Sequence, residues 1–306
     1  MKQIPGGVTA PKGFRAWGVH CGVKSKKADK KDLALILSDQ ECAAAAVYTM
    51  NRVKAAPLYV TMEHLEDGTA WGVAANSGNA NACCPMSHEY AEEMARLAAR
   101  ATGRAPADFV VASTGVIGQT LNIAAIRAAA AGLTAGPEGS DAAARAIMTT
   151  DTVKKELALA CSIGGRTVTL GAIAKGSGMI HPNMGTMLCF VTTDCAITRE
   201  MLSEALREVV PRTFNRVTVD GDTSTNDMCC ILANGMAENP LIDWKNEDYD
   251  AFCQALEQVL VQVARSIAAG SDVSSCRGRL LTACNSRTHS ASIAASSISG
   301  NPTLTS

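Results

Sequence analysis

An α/β protein with a layered core is the fold class that this sequence predicts, and three observations carry the prediction. Stretches rich in β-branched and aromatic residues alternate with Ala-rich stretches of helical character along 306 residues. The Ala-rich stretches suit helices that lie close against a sheet. In residues 246–267, Phe252, Leu256, Val259, Val263 and Ile267 recur at three- and four-residue steps, which makes one apolar stripe on an amphipathic helix.

In chain order, strands are expected at 45–50, 58–62 and 71–75, where Val, Tyr, Thr and Trp gather. A helix is expected at 89–101 and a strand at 109–113. Helices follow at 123–131 and 141–148, then strands at 167–172 and 187–193. A helix at 201–210 precedes the amphipathic one at 246–267. After Ala269 the composition changes: residues 270–306 are dense in Ser and Thr, hold no aromatic residue and carry one acid, Asp272. A segment without apolar periodicity cannot offset the entropy of ordering, so disorder is expected there.

Hydrophobic residues make up 47%, charged residues 19%, and the net charge is −1. That balance gives no electrostatic footprint for nucleic acid and no basic face for a membrane. No apolar run approaches the roughly 20 residues that span a bilayer. The first residues form neither a signal core nor an Arg/Ser-rich transit peptide, which leaves a cytoplasmic protein as the expectation. Twelve cysteines include two adjacent pairs and no Cys-x-x-Cys, so they read as small buried hydrophobes. His20, His64, His88, His181 and His289 stand apart in sequence, and no metal is expected.

The densest chemistry lies in residues 175–194, KGSGMIHPNMGTMLCFVTTD, where a Gly-bearing loop meets a Thr that opens an apolar strand. A chain cut at Gly185–Thr186 would expose Thr186 as a new N-terminus. A terminal Thr carries a hydroxyl nucleophile and an α-amine of pKa roughly 7.7–8.0, a base suited to neutral pH. The same Thr also reads as an ordinary β-branched strand residue. Residues 111–118, VASTGVIG, leave a strand for a small-residue turn where Thr114 and Gly115 could face a developing negative charge, or simply form a turn. Residues 76–82 read as an Asx-type turn. In 215–227, Asp220 and Asp222 lack the later Glu of a calcium loop, and a hydrogen-bonded cluster supporting a site is preferred. Lys175 suits a carboxylate substrate or a solvated loop; His181 reads as a loop histidine.

Taken in order, residues 76–83, 113–118, 148–152, 175–194, 214–227 and the LANG segment at 232–235 resemble the ornithine acetyltransferase family, the bifunctional glutamate N-acetyltransferases of arginine biosynthesis. The resemblance spans most of the chain to about residue 268. It implies a layered α/β sandwich that cuts itself, with an α chain at 1–185 and a β chain beginning at 186. It implies Thr186 as nucleophile, Thr114 and Gly115 as the oxyanion hole, and Thr149, Lys175 and Thr186 as substrate-binding residues. Thr150 or Thr152 would replace Thr149 if the local match is offset. Gly185 stands where the family usually has Ala. The implied reaction passes acetyl from N2-acetylornithine to glutamate in ping-pong fashion, with no bound cofactor and with acetyl-CoA accepted by some members. Association of α and β chains, as a heterotetramer in the family, is implied as well.

After about residue 268 the resemblance fails. The family continues with an Asp-Gly-Glu-Gly segment that supplies a Glu, and a later region supplies an Asn and a Thr. Residues 268–275 here read AAGSDVSS. A shifted reading frame near Ala269 would explain the tail at 269–306, and it predicts an aggregation-prone, impaired product. Two other functions stay open: a self-processing aminopeptidase or amidase that passes the acyl group to water, and a non-catalytic remnant.

Overall fold

In the computed structural model, residues 1–24, 30–176, 187–214 and 224–270 are described. Its centre is β3 (Leu33–Tyr48), a strand of 16 residues whose register shifts between Leu37 and Cys42. The polar interruption at 38–41 divides it into two apolar halves. The first half pairs with β2 (Phe14–Val19), and the second takes β9 (Met228–Ala233) on the same edge. On its other edge β3 pairs with β4 (Thr69–Asn79). The described sheet has nine strands. From β3 it runs outward one way through β9, β8 (Leu188–Thr193), β7 (Arg166–Lys175), β6 (Lys155–Ile163) and β1 (Lys2–Ile4). The other way it ends in β4 and β5 (Phe109–Val116).

Both faces of this sheet are covered, which is why its central strands read as continuous apolar runs rather than alternating ones. Along β8, Cys189 and Val191 face a core shared with α5 (Arg199–Val209) and α6 (Glu247–Ala269), while Leu188 and Phe190 face the one shared with α4 (Ser140–Ala146). Further cores join β5 to α2 (Ser87–Thr102) and α3 (Ile123–Ala130). This is the layered α/β sandwich. α6 buries the stripe expected of it, Phe252, Leu256, Val259, Val263 and Ile267, each worth about 1.5–3 kcal/mol relative to exposure. Asn246 caps its start by accepting from the Tyr249 N–H at 2.8 Å, and Gly270 ends it at φ +58°. The helix thus stops where the composition changes.

Two sequence expectations need correction. Residues 58–62 are not a strand; they lie in α1 (Ala56–His64), whose first turn holds Pro57. The β-branched residues that suggested a strand serve a docking role. Thr61 Oγ1 accepts the Val111 N–H and donates to the Val111 carbonyl, both at 2.8 Å, on the open edge of β5. His64 Nδ1 lies 2.8 Å from the Phe109 carbonyl, so α1 satisfies an edge that would otherwise invite pairing. Second, cysteine burial is not uniform. Cys42, Cys189, Cys195, Cys229, Cys230 and Cys253 are buried free thiols, but Cys83 is exposed and Cys21, Cys84 and Cys161 are half-buried. His88 also has company in space: it lies with Glu63 and Glu92 on the contact of α1 with α2, their ligand-type atoms within 4.8 Å of one another. Strands β1, β2, β6 and β9 and the first part of β3 were not foreseen, because short apolar runs without period resemble buried helix as much as strand. The tail at 271–306 lies outside the described residues.

Candidate active site

The parallel pair β4 and β5 ends in register, with Asn76 beside Ser113, Ser77 beside Thr114 and Gly78 beside Gly115. Buried polar side chains brace these ends. Ser113 Oγ donates to Asn76 Oδ1 at 2.6 Å, and Asn76 Nδ2 donates to the Asn79 carbonyl at 3.0 Å. From the segment before β9, Asn226 Nδ2 donates to the carbonyls of Ala80 at 2.7 Å and Ser113 at 2.8 Å. The Asn-rich segment at 76–82 is therefore a brace between strands rather than only a turn. Gly115 sits at φ +138°, and a Cβ there would lie 2.3 Å from the Gly78 carbonyl carbon. Backbone this close admits only glycine.

Thr114 is buried and accepts a hydrogen bond from Lys175 Nζ at 3.2 Å. Lys175 is the last residue of β7 and is 1% exposed, so it is not a solvated loop cation. Burial pulls its pKa down to about 8, opposed by the charges of Asp151 and Asp227. Asp151 ties this strand end to Thr149. Its Oδ1 accepts from Lys155 Nζ at 2.6 Å and from the Gly176 N–H at 2.8 Å, while its Oδ2 accepts from the Thr149 N–H at 3.1 Å. Burial raises the Asp151 pKa, but the hydrogen bonds from Lys155 and the Gly176 N–H and the charges of Lys155 and Lys175 outweigh it and hold the carboxyl below its usual value.

Asp227 closes the constellation. It precedes β9, and its Oδ1 accepts from the Met187 N–H at 2.9 Å. Its Oδ2 is buried without a hydrogen-bond partner. Burial pushes its pKa up to about 8, against the attraction of Lys175. Met187 is the residue after Thr186, so this carboxyl fixes the entry to β8.

Of the residues expected to act, the structure brings Thr114, Gly115, Lys175 and Thr149 into one place. Gly185, Thr186, His181, Asp220 and Asp222 lie outside the described residues. Sequence reasoning did not single out Asp151, Lys155 or Asp227. Residues 148–152 were singled out only as a segment of the resemblance and 215–227 as a hydrogen-bonded cluster, whereas the role of each acid depends on partners 25 and 40 residues away.

A family model described as the ArgJ family matches residues 15–305. The chain belongs to the ArgJ family. An arginine biosynthesis bifunctional protein ArgJ of Symbiobacterium thermophilum is 56% identical over 273 residues, covering 88% of this chain and 67% of that protein. The chain spans about two thirds of the length of the curated ArgJ relatives it matches. The crystal structure of the ArgJ protein of Bacillus halodurans is 40% identical with a TM-score of 0.57, covering 61% of this chain and 97% of that one. An ornithine acetyltransferase of Mycobacterium tuberculosis, solved with ornithine, is 34% identical with a TM-score of 0.53, covering 61% of this chain and 99% of that one. The ArgJ family model runs on through the Ser-rich tail.

Proposed function

We propose that this chain carries out the acetyl transfer of the ArgJ family, from N2-acetylornithine to glutamate through an acetyl-Thr186 intermediate, in the biosynthesis of arginine. The observation that carries the reading is the Lys175–Thr114 hydrogen bond beside Gly115. Because Thr114 Oγ1 accepts from Lys175, its own proton is left to donate, and the Gly115 N–H supplies a second donor. Loss of one such donor costs about 10²–10³ in kcat.

In this reading the Gly185–Thr186 bond is cut first, which frees the Thr186 α-amine. That amine takes the hydroxyl proton as Thr186 Oγ1 attacks the acetyl carbonyl. The oxyanion faces Thr114 and Gly115, the C–N bond breaks, and ornithine leaves with the proton. The amine of glutamate then attacks the acetyl ester, and N-acetylglutamate departs as Thr186 Oγ1 regains a proton. The cut is supported by length: solved relatives that are covered almost whole answer to only 61% of this chain, and residues 1–185 are 185/306, about 60%. The division into 1–185 and a chain from 186 also suits the sheet. β8 and β9 lie between β7 and β3, so the two pieces stay hydrogen-bonded along both sides.

Assembly as a heterotetramer and a cytoplasmic setting complete the proposal. No helix among the described residues is long and apolar enough to cross a membrane. Acetyl-CoA as a further donor fits the same site chemistry. The test is ornithine release from N2-acetylornithine with and without glutamate. Acceleration by glutamate, abolished in Thr186→Ala, is the expected result. Release indifferent to glutamate would mean a hydrolase, and no release would mean that the chain is not catalytic.

A further inference from the structure

The contact of α1 with α2 gathers ligand-type side chains that acetyl transfer does not use. His88 and Glu92 stand one helical turn apart on α2, so they share a face. Glu63, in the last turn of α1, meets them, and one ligand atom from each of the three lies within 4.8 Å of the other two. Zinc bonds of about 2.0–2.1 Å to histidine and carboxylate set tetrahedral ligand atoms about 3.3 Å apart. Closing the triangle therefore shortens its sides by up to about 1.5 Å. Glu63 and His88 are exposed, and Glu92 is half-buried, so the two outer side chains can turn inward without disturbing the core.

An independent feature points to a ligand at the same place. The His64 side chain is only 9% exposed. Its Nδ1 lies 2.8 Å from the Phe109 carbonyl, and a carbonyl can only accept, so Nδ1 carries the ring proton. The Nε2 lone pair of the neutral ring is left over, and Nε2 stands 3.9 Å from Glu92 Oε1. Two acceptors thus face each other across a gap too long for a hydrogen bond. The other oxygen of Glu92 lies 3.6 Å from Arg96 Nη1, on the outer side of the helix, and leaves Oε1 to face His64. An imidazole fixed by Nδ1–H on a backbone carbonyl, with Nε2 facing a carboxylate, has the arrangement of a metal-binding histidine.

We propose that Glu63, His88 and Glu92 bind one divalent ion of the zinc type, with His64 Nε2 as the fourth donor. The donor set selects the ion: imidazole suits zinc, whereas calcium and magnesium take oxygen ligands. Two carboxylates balance its charge. Four protein donors close the coordination sphere, so the ion is structural rather than catalytic. The placement agrees. His64 is anchored at Phe109, which opens β5, and Thr114 lies five residues further on, about 17 Å of strand away. The ion pins α1 to α2 over the edge of β5 that Thr61 and His64 already pair. The histidines stand apart in sequence, and only the packing of α1 on α2 brings His64 and His88 to one contact. The inference is independent of the proposed acetyl transfer.

Zinc chloride titrated into the full chain by calorimetry tests this, with the absorbance of cobalt(II) as a second probe. One ion per chain is expected. His88→Ala and Glu63→Gln should each weaken binding at least about tenfold. Glu89→Gln removes an exposed acid of the same helix turn that is outside the cluster, and it should leave binding unchanged. Zinc should raise the melting temperature of the unmodified chain by several degrees and that of His88→Ala far less. Glu63 and His88 are exposed, so both variants should melt without zinc where the unmodified chain does, which separates loss of the ion from loss of the fold. Absence of zinc binding would overturn the inference and leave His64 and Glu92 as a plain ion pair. Equal affinity in the unmodified chain, His88→Ala and Glu63→Gln would overturn it too, as would calcium bound as tightly as zinc. A thiolate-to-cobalt charge-transfer band that persists in His88→Ala would place the ion on cysteines and defeat the assignment.

Discussion

Asp227 and Gly115 are the single residues whose replacement says most about the site. Asp227 has a folded pKa near 8, raised by burial above its ordinary value of 3.8. A carboxyl raised in this way contributes stability in full below its unfolded pKa and loses it as pH rises through the folded one. Between about pH 4 and pH 8 the unfolded chain ionises this group while the folded chain does not. Asp227→Asn keeps an acceptor for the Met187 N–H and cannot ionise. Its melting temperature should therefore rise against that of the unmodified chain across this window, by a few degrees, and the gap should stop widening above pH 8. A gap independent of pH would mean that Asp227 is charged throughout. Gly115→Ala meets the backbone of Gly78 and Asn79 at a positive φ. It should destabilise the fold by about 1–3 kcal/mol from backbone strain alone, measured by denaturant unfolding, and lower acetyl transfer more than about tenfold.

At this scale the sequence was legible for residue types that announce their chemistry. Thr114, Gly115 and Lys175 were named from motif and resemblance, and they meet. Asp151 and Asp227 were not named singly, because the polar composition of 148–152 and 215–227 does not show which carboxylate meets a distant partner.

Elements were legible where period and length agreed. The stripe of α6 and the runs in β5 and β8 are long or strongly patterned enough to decide their own structure. α1 was misread because Leu58 to Met62 combine β-branched and aromatic residues, yet Pro57 opens a helix and Thr61 turns its hydroxyl onto β5. That contact yields a prediction for the element. Thr61→Val keeps the shape and removes the oxygen, which leaves the Val111 N–H on β5 unpaired. The expected cost is about 1–3 kcal/mol, read by denaturant unfolding. Thr61→Ser, which keeps the oxygen, should lose less. Equal losses in the two would assign the effect to the methyl group instead of to the edge of β5.

Over the whole molecule, the sheet explains how one chain could become two without coming apart. β8 carries Met187 at its mouth, takes β7 on one side and β9 on the other, and β9 joins β3. A cut before residue 186 severs no ladder that holds these strands. The class of the fold could be read from alternating composition, whereas the order of strands could not, since β3 shares one edge between β2 and β9 and nothing in the local sequence records that division.

Intact mass of the purified chain under denaturing conditions tests the central claim most directly. Two fragments dividing between Gly185 and Thr186, with a single uncut mass for Thr186→Ala, are the result this account predicts. A single uncut mass for the unmodified chain would contradict it, because the nucleophile on which the proposed transfer depends would never have been made.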